Sequence, residues 1–302
     1  MIPGAVERRI FVVGAPRSGT TLVQSLLAAH SALTSFTESH FFSRHYRRVR
    51  LVETALLTRD PLPRCEEFLR ENGVDARLAA ELLAEMRSAV APWPRRPLRS
   101  RPVARAFVAG LDRLAIARGR TGWVEKTPRH LRFVPFLDGV LATAPRPRFI
   151  HVVREGLDVV ASLAAASRAW GESLGLKDCA RRWNSDLALS CERIGSPRDH
   201  FVVYEELAAA PEVVVGRLLD ALGLDREPEM LAAYPGAARR VVTEAESWKS
   251  GVGRPIVPSR PAAEALDPAQ REGVRRLLRH DLHARLVRAA RGGADTDATE
   301  SS

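Results

Sequence analysis

The stretch Gly14-Ala15-Pro16-Arg17-Ser18-Gly19-Thr20-Thr21 decides the fold, because it separates a short apolar run from an amphipathic segment. The run before it, Ile10-Phe11-Val12-Val13, is typical of a strand buried on both faces of a parallel sheet. The segment after it, 20–30, places leucines and valines four residues apart on one helix face. Strand, glycine-rich turn and helix predict a βα unit whose backbone N–H groups bind an anion.

The side chains of this loop indicate which anion it binds. A loop that binds nucleoside triphosphates has lysine directly after its second glycine, whereas this chain has Thr20 there. Arg17 lies inside the loop, where its planar fork can grip a terminal anionic group, and Ser18, Thr20 and Thr21 supply hydroxyl donors. A triphosphate with its magnesium ion is therefore disfavoured.

The remaining chain alternates between short apolar runs and amphipathic stretches, which predicts an open α/β sheet in one domain over residues 1–290. A helical insertion is expected at about 40–119, and 291–302 is expected to be a disordered tail. The predicted strands after the first are 122–125, 148–153 and 200–204, and the predicted helices include 40–57, 75–90, 101–118 and 268–290.

Composition limits the class of protein. With 302 residues, 45% hydrophobic and 27% charged, the chain can bury a core without disulfides or a structural metal. Its three cysteines are far apart and form no C-x-x-C pattern, which predicts a reducing compartment. No signal segment or membrane span is apparent, so we expect a cytoplasmic protein. The net charge of +10 favours an anionic ligand.

A second candidate phosphate site follows the predicted strand 148–153. Arg154 leaves the carboxyl end of that strand, where ligands bind in open α/β folds. Ser162 stands about two turns into the next helix, with its side chain leaning back toward the same end. The arginine and the hydroxyl are predicted to converge on a phosphate.

The two stretches together resemble the sulfotransferases that use 3′-phosphoadenosine 5′-phosphosulfate (PAPS), particularly the tyrosylprotein sulfotransferase branch. Pro16 to Thr21 match the family's P-R-S-G-T-T loop for the 5′-phosphosulfate. Arg154 and Ser162 match its arginine and serine for the 3′-phosphate. Tyr204, in V-Y-E-E-L, resembles a family tyrosine near the nucleotide. The resemblance covers roughly 9–40, 122–164 and 200–207 and implies a P-loop-like three-layer sandwich, a PAPS donor and no metal.

The resemblance also implies catalytic residues. Glu38 matches by spacing the glutamate that serves as catalytic base, and a carboxylate there can take the proton of an attacking hydroxyl. Lys126, in Glu125-Lys126-Thr127-Pro128, matches the lysine that contacts the sulfuryl group, and with Arg17 it would neutralise charge in the transition state. His40 and His130 are alternative bases, because other branches use histidine.

Five further residues lie outside these motifs. Lys249 and Arg254 lie where the family often folds a loop over the nucleotide, so they are candidate phosphate contacts. Trp123 and Trp183 are expected in the core rather than stacked on a ligand. His151, inside an apolar strand, is also expected in the core.

Two other functions remain open from the sequence. A nucleotide kinase with a degenerate loop is disfavoured by the missing lysine after Gly19. A basic nucleic-acid-binding protein is disfavoured because the arginines are spread along the chain without interleaved aromatic residues. The acceptor remains open among peptide tyrosine, carbohydrate, lipid and small metabolite, and the oligomeric state is not predicted.

Overall fold

The computed structural model describes residues 5–49, 54–91, 100–169, 171, 173–241, 256 and 261–292. The strands are β1 (Arg8–Gly14), β2 (Leu33–Ser35), β3 (Tyr46–Val49), β4 (Thr54–Leu57), β5 (Gly122–Lys126), β6 (Arg148–Val153) and β7 (Asp199–Val203). Five of them form a parallel sheet in the order β2-β5-β1-β6-β7. The predicted α/β fold is confirmed, and β1 lies at the centre of the sheet.

The helices cover both faces of the sheet. They are α1 (Thr20–Leu27), α2 (Phe41–His45), α3 (Leu62–Glu71), α4 (Ala76–Val90), α5 (Ser100–Ala117), α6 (Val134–Val140), α7 (Gly156–Ala169), α8 (Leu176–Cys191), α9 (Tyr204–Ala209), α10 (Pro211–Leu222), α11 (Met230–Val241), α12 (Pro268–Arg275) and α13 (His280–Ala290). Two 3₁₀ helices span Pro128–Phe133 and Ala262–Ala265. Among the described residues, no helix is both long and apolar enough to cross a membrane.

Side chains of β1 alternate between two apolar clusters. Ile10 and Val12 pack with residues of α1, α10 and α11 on one face of the sheet. Phe11 and Val13 pack with residues of α5, α6 and the 3₁₀ helix 128–133 on the other face. Complete burial of such a side chain contributes about 1.5–3 kcal/mol, and burial on both faces explains why β1 has no polar position between Ile10 and Val13.

The region 40–119 differs from its sequence prediction. The predicted helix over 40–57 is wrong: among the described residues of this range, 40–49 and 54–57, only Phe41–His45 is helical, and β3 and β4 form an antiparallel hairpin. In β4, Ala55 and Leu57 are buried two residues apart, which is the spacing of a strand face and not of a helix. Helix α3 and strand β2 were not predicted, and the expected helix 268–290 is interrupted between α12 and α13. The tail beyond 292 lies outside the described residues.

Candidate active site

The two glycines of the loop are required by close contacts. Gly14 ends β1 with φ +149°, and a Cβ there would lie 2.6 Å from the carbonyl oxygen of Val152. Gly19 has φ +95°, and a Cβ there would lie 2.4 Å from Cδ2 of Tyr204. The loop therefore lies directly against β6 and against the first residue after β7, and only glycine fits at either position.

Arg17 occupies the centre of the loop. Its φ is +75°, an uncommon conformation for a residue with a side chain. Its Nε donates a hydrogen bond to Oγ of Ser162 at 3.0 Å. Burial and the nearby Arg154 lower the pKa of Arg17, while Glu38 acts in the opposite direction. A site that lowers the pKa of an arginine favours an anionic ligand, whose charge would offset both effects.

Arg154 joins the two predicted phosphate sites. Its Nη1 donates to the carbonyl oxygen of Arg17 at 3.3 Å, and its guanidinium lies 4.2 Å from the ring centroid of Tyr204. Nη2 is 3.5 Å from Oδ2 of Asp158. Contacts thus run in series from Ser162 through Arg17 and Arg154 to Tyr204, and they join three separate parts of the chain.

Two buried donors in this cluster have no partner among the described residues. They are Oγ of Ser18 and Nε of Arg154. A buried polar atom without a hydrogen bond costs roughly 1–3 kcal/mol, so their positions fit oxygen atoms of a bound phosphate. Pro16, Ser18 and Gly19 complete the loop and Thr20 and Thr21 begin α1; the side chains of Ser18 and Thr20 are buried.

Lys126 connects the loop with Glu38. It is the last residue of β5 and is 0% exposed. Its Nζ donates to Oγ1 of Thr21 at 3.2 Å and forms a short ion pair with Oε1 of Glu38. The lysine therefore lies between the candidate anion-binding loop and the candidate base.

His40 lies beside Glu38, with Nε2 3.5 Å from Oε2 of the carboxylate. Burial lowers the pKa of His40 to about 4, although Glu38 acts to raise it. The imidazole is therefore neutral at pH 7 and keeps a nitrogen that can accept a proton. Among the described residues, Arg17 and His40 are the two non-glycine residues with positive φ, and both lie at this site.

A buried carboxylate supports the segment that carries Glu38. Glu125, 0% exposed, accepts hydrogen bonds from Oγ of Ser39 at 2.7 Å, Oγ1 of Thr127 at 2.7 Å and Nδ1 of His130 at 3.0 Å. Burial raises the pKa of Glu125, but the facing His130 ring and these hydrogen bonds outweigh burial, and the net shift is downward. Sequence reasoning missed this role, although Glu125 directly precedes Lys126.

Arg64, on helix α3 of the insertion, also holds the segment that carries Glu38. Its Nη2 donates to the carbonyl oxygen of Glu38 at 2.6 Å, and its Nε donates to that of Ser39 at 2.9 Å. Glu67 and Glu71 pair with the same guanidinium at 2.8 and 3.1 Å. Burial lowers the pKa of Arg64, but these two carboxylates outweigh it and the net shift is upward. No local motif marks Arg64, because its partners are 26 and 25 residues away.

The other candidates lie in the core or outside the described residues. The backbone N–H of Phe42 donates to Nε2 of His130 at 3.1 Å, so this buried ring has both nitrogens bonded within the protein. His151 is 0% exposed and bonds Ser190 and Asp199. Trp123 and Trp183 are also buried, as predicted. Lys249 and Arg254 lie outside the described residues.

The fold and this cluster define an α/β protein with a glycine-containing loop, the candidate phosphate site, at the carboxyl end of its central strand. Comparison with known proteins gives the family. The model described as the sulfotransferase family matches residues 9–228. The chain belongs to the sulfotransferase family, a family of transferases, and a nucleotide kinase or a nucleic-acid-binding protein is not favoured.

Solved sulfotransferases share the fold. The sulfotransferase domain from the curacin biosynthetic pathway is 21% identical, with a TM-score of 0.53 over 89% of this chain and 96% of that chain. Mouse sulfotransferase SULT7A1, solved as a complex with PAP, is 11% identical, with a TM-score of 0.50 over 90% of this chain and 84% of that chain. An uncharacterized protein of Aquifex aeolicus (strain VF5) is 26% identical over 236 residues, 76% of this chain. This chain spans 27% of the length of that curated relative.

Proposed function

We propose that this chain transfers a sulfonate group from PAPS to a hydroxyl or amine acceptor by in-line displacement. The observation that carries the proposal is the position of Lys126, whose Nζ contacts both Thr21 of the loop and the carboxylate of Glu38. A single cation thus borders the place where an anionic donor would end and the place where a proton would be accepted. Family membership and the PAP bound to the mouse relative support a donor of this class.

The donor would be held by the cluster around the loop. In this proposal the loop from Pro16 to Thr21 binds the 5′-phosphosulfate, and Arg154 with Ser162 binds the 3′-phosphate. Tyr204 fixes the guanidinium of Arg154 from one side. Because Nε of Arg17 donates to Oγ of Ser162, the two phosphate sites share a hydrogen bond, and the O–H of Ser162 can donate to a phosphate oxygen at the same time. Lys249 and Arg254 remain proposed contacts.

The transfer step assigns one role to each catalytic residue. The acceptor oxygen or nitrogen forms a bond to sulfur while the bond from sulfur to the 5′-phosphate oxygen breaks. The proton of the acceptor O–H or N–H group passes to the carboxylate of Glu38. Lys126 and Arg17 stabilise the charge that develops on the sulfonate and on the departing phosphate. Arg64 and Glu125 hold Glu38 in position. Fixed cations take the place that a metal ion holds in phosphoryl transfer, so no metal is proposed.

A cytoplasmic location is part of the same proposal. The three cysteines, Cys65, Cys179 and Cys191, are buried and form no disulfide, which agrees with a reducing compartment. The acceptor class is not assigned by these residues.

The test is transfer of labelled sulfonate from PAPS to a panel of hydroxyl and amine compounds. We expect Lys126→Ala and Glu38→Gln each to lower kcat about hundredfold or more, because each removes charge stabilisation or the proton acceptor. Lys177→Ala and Glu229→Gln change exposed residues of the same types and serve as matched controls. Equal turnover by all variants would contradict the assignment of these roles.

A further inference from the structure

A cleft of about 470 Å³ lies beside the candidate active site, between β3, the 3₁₀ helix 128–133 and α8. That volume is in the range of small-molecule sites. Four arginines line it: Arg47, Arg48, Arg129 and Arg132. Among the described residues, no carboxylate lines the cleft, although acidic residues make up 36 of the 302 residues in the chain.

The cleft also has apolar walls. Tyr46, Phe133 and Leu189 line it and are 5%, 5% and 7% exposed. The hydroxyl of Tyr46 donates to the carbonyl oxygen of Ser100 at 2.9 Å, so this wall is fixed by a contact with α5. Arginines around an apolar surface fit a ligand that has both an anionic group and a ring or short hydrocarbon portion.

Two acidic residues pair with these arginines from outside the cleft. Oε2 of Glu192 is 3.6 Å from Arg48, and Oδ1 of Asp186 is 3.9 Å from Arg132. Burial raises the pKa of Asp186 to about 6, against the lowering effects of Arg132 and Arg129. Both carboxylates contact arginines that line the cleft, but neither carboxylate is itself part of the lining.

Short connections join the cleft to the residues of the proposed transfer step. Ser43 lines the cleft, and its Oγ donates to the carbonyl oxygen of His40 at 3.1 Å. The backbone N–H of His40 donates to Oγ1 of Thr127 at 3.2 Å, and Arg129 follows Thr127 by two residues. Ser43 follows His40 by three residues, which is about one helical turn of 5.4 Å. The cleft therefore begins about one turn from His40, the residue beside Glu38.

We propose that this cleft binds the anionic end of the acceptor. The acceptor would then be a hydroxyl or amine compound with a ring or hydrocarbon portion and a carboxylate, sulfate or phosphate group. The assignment of the cleft ligand as the acceptor rests on the proposed sulfotransferase function. The assignment of the cleft as a site for anionic ring compounds is independent of the proposed sulfotransferase function.

The first test measures binding of pyranine, a fluorescent pyrene with a hydroxyl and three sulfonate groups, by anisotropy. PAP is present at saturation so that the phosphate loop is occupied. We expect Arg129→Ala/Arg132→Ala to weaken pyranine binding about tenfold or more, since each lost charge-assisted hydrogen bond contributes more than one tenfold step. Arg77→Ala/Arg226→Ala removes the same charge from exposed positions elsewhere and should leave affinity within about twofold.

The second test compares acceptors in pairs, each an acid with its neutral amide, such as 4-hydroxyphenylacetate and 4-hydroxyphenylacetamide. We expect wild-type protein to sulfonate the acids with the higher kcat/KM, and the double cleft variant to lose that preference. Pyranine affinity that is equal in both double variants would overturn the cleft as a binding site. Equal use of acids and amides by the wild type would overturn the acceptor assignment. Titration with PAP alone tests the donor site separately, so failure of the cleft and failure of the proposed function are distinguishable.

Discussion

The donor half and the base half of the candidate site are held together in different ways. The donor half consists of the loop 14–19, Arg154 and Tyr204, all at the carboxyl ends of adjacent parallel strands. The base half is the segment with Glu38 and His40, which side chains from β5 and α3 hold in place. Strand order therefore brings the groups of the donor half side by side, where side-chain contacts of Arg17 and Arg154 complete it, whereas the base half depends on a few buried polar bonds.

The largest expected effect comes from Glu125→Ala in the base half. The change leaves Ser39, Thr127 and His130 without their buried acceptor, and we expect the free energy of unfolding to fall by about 3 kcal/mol. Urea denaturation measures this loss. The exposed Glu81→Ala, which removes surface ion pairs with Arg113 and Arg77, should lower the free energy of unfolding far less. If Glu125→Ala lowered the free energy of unfolding as little as Glu81→Ala does, the buried hydrogen bonds of Glu125 would not hold the segment that carries Glu38.

A change in the donor half should affect binding. In Gly19→Ala the new methyl group meets the Tyr204 ring at positive φ, which costs about 1–3 kcal/mol. The free protein can relieve the clash by moving the loop or the ring, whereas PAP binding requires both in place. We therefore expect PAP affinity, measured by calorimetry, to fall about ten- to hundredfold. Gly119→Ala has φ +66° and no atom within 4 Å of the new Cβ, so it tests backbone strain without the contact. Unchanged PAP affinity in Gly19→Ala would contradict the placement of the donor against Tyr204.

Arg64→Ala removes the hydrogen bonds by which α3 holds the base half. We expect kcat for sulfonate transfer to fall about tenfold through misplacement of Glu38, with KM for PAPS unchanged. Arg64→Lys keeps the charge but cannot donate to both carbonyl oxygens in the same way, so it should be intermediate. Arg70→Ala, an exposed change on the same helix, is the control. A rise in KM for PAPS without loss of kcat would place Arg64 in the donor half.

The smallest effect concerns pH. Burial lowers the pKa of His40 from 6.5 to about 4, so the unfolded chain takes up a proton at a higher pH than the folded chain. The contribution of His40 to stability therefore falls as pH falls from about 6.5 to about 4. His40→Asn, which tolerates positive φ, should flatten the dependence of unfolding free energy on pH in that window. His280→Asn makes the same change at an exposed histidine of α13 and is the matched control.

The donor half could be predicted from the sequence more fully than the base half and the insertion around it. The strand 148–153 was predicted with the bounds of β6, because a strand buried on both faces is an apolar run. The contact of Arg154 with the loop follows from the position of both at carboxyl ends of adjacent parallel strands. Arg64 could not be predicted, because its bonds to Glu38 and Ser39 depend on how α3 packs. The β3–β4 hairpin was missed for a similar reason, since its buried face is set by the core around Phe41 and Phe107.

The most direct test of the donor site is calorimetric titration with PAP in the absence of magnesium. We expect micromolar binding by the wild type, at least tenfold weaker binding of adenosine 5′-phosphate, and loss of PAP binding in Arg154→Ala, since removing one charged contact costs more than 1.4 kcal/mol. The exposed Arg181→Ala should bind PAP like the wild type, and thermal unfolding checks that both variants are folded. Failure of folded wild-type protein to bind PAP, or equal binding of adenosine 5′-phosphate, would contradict the proposed sulfotransferase function.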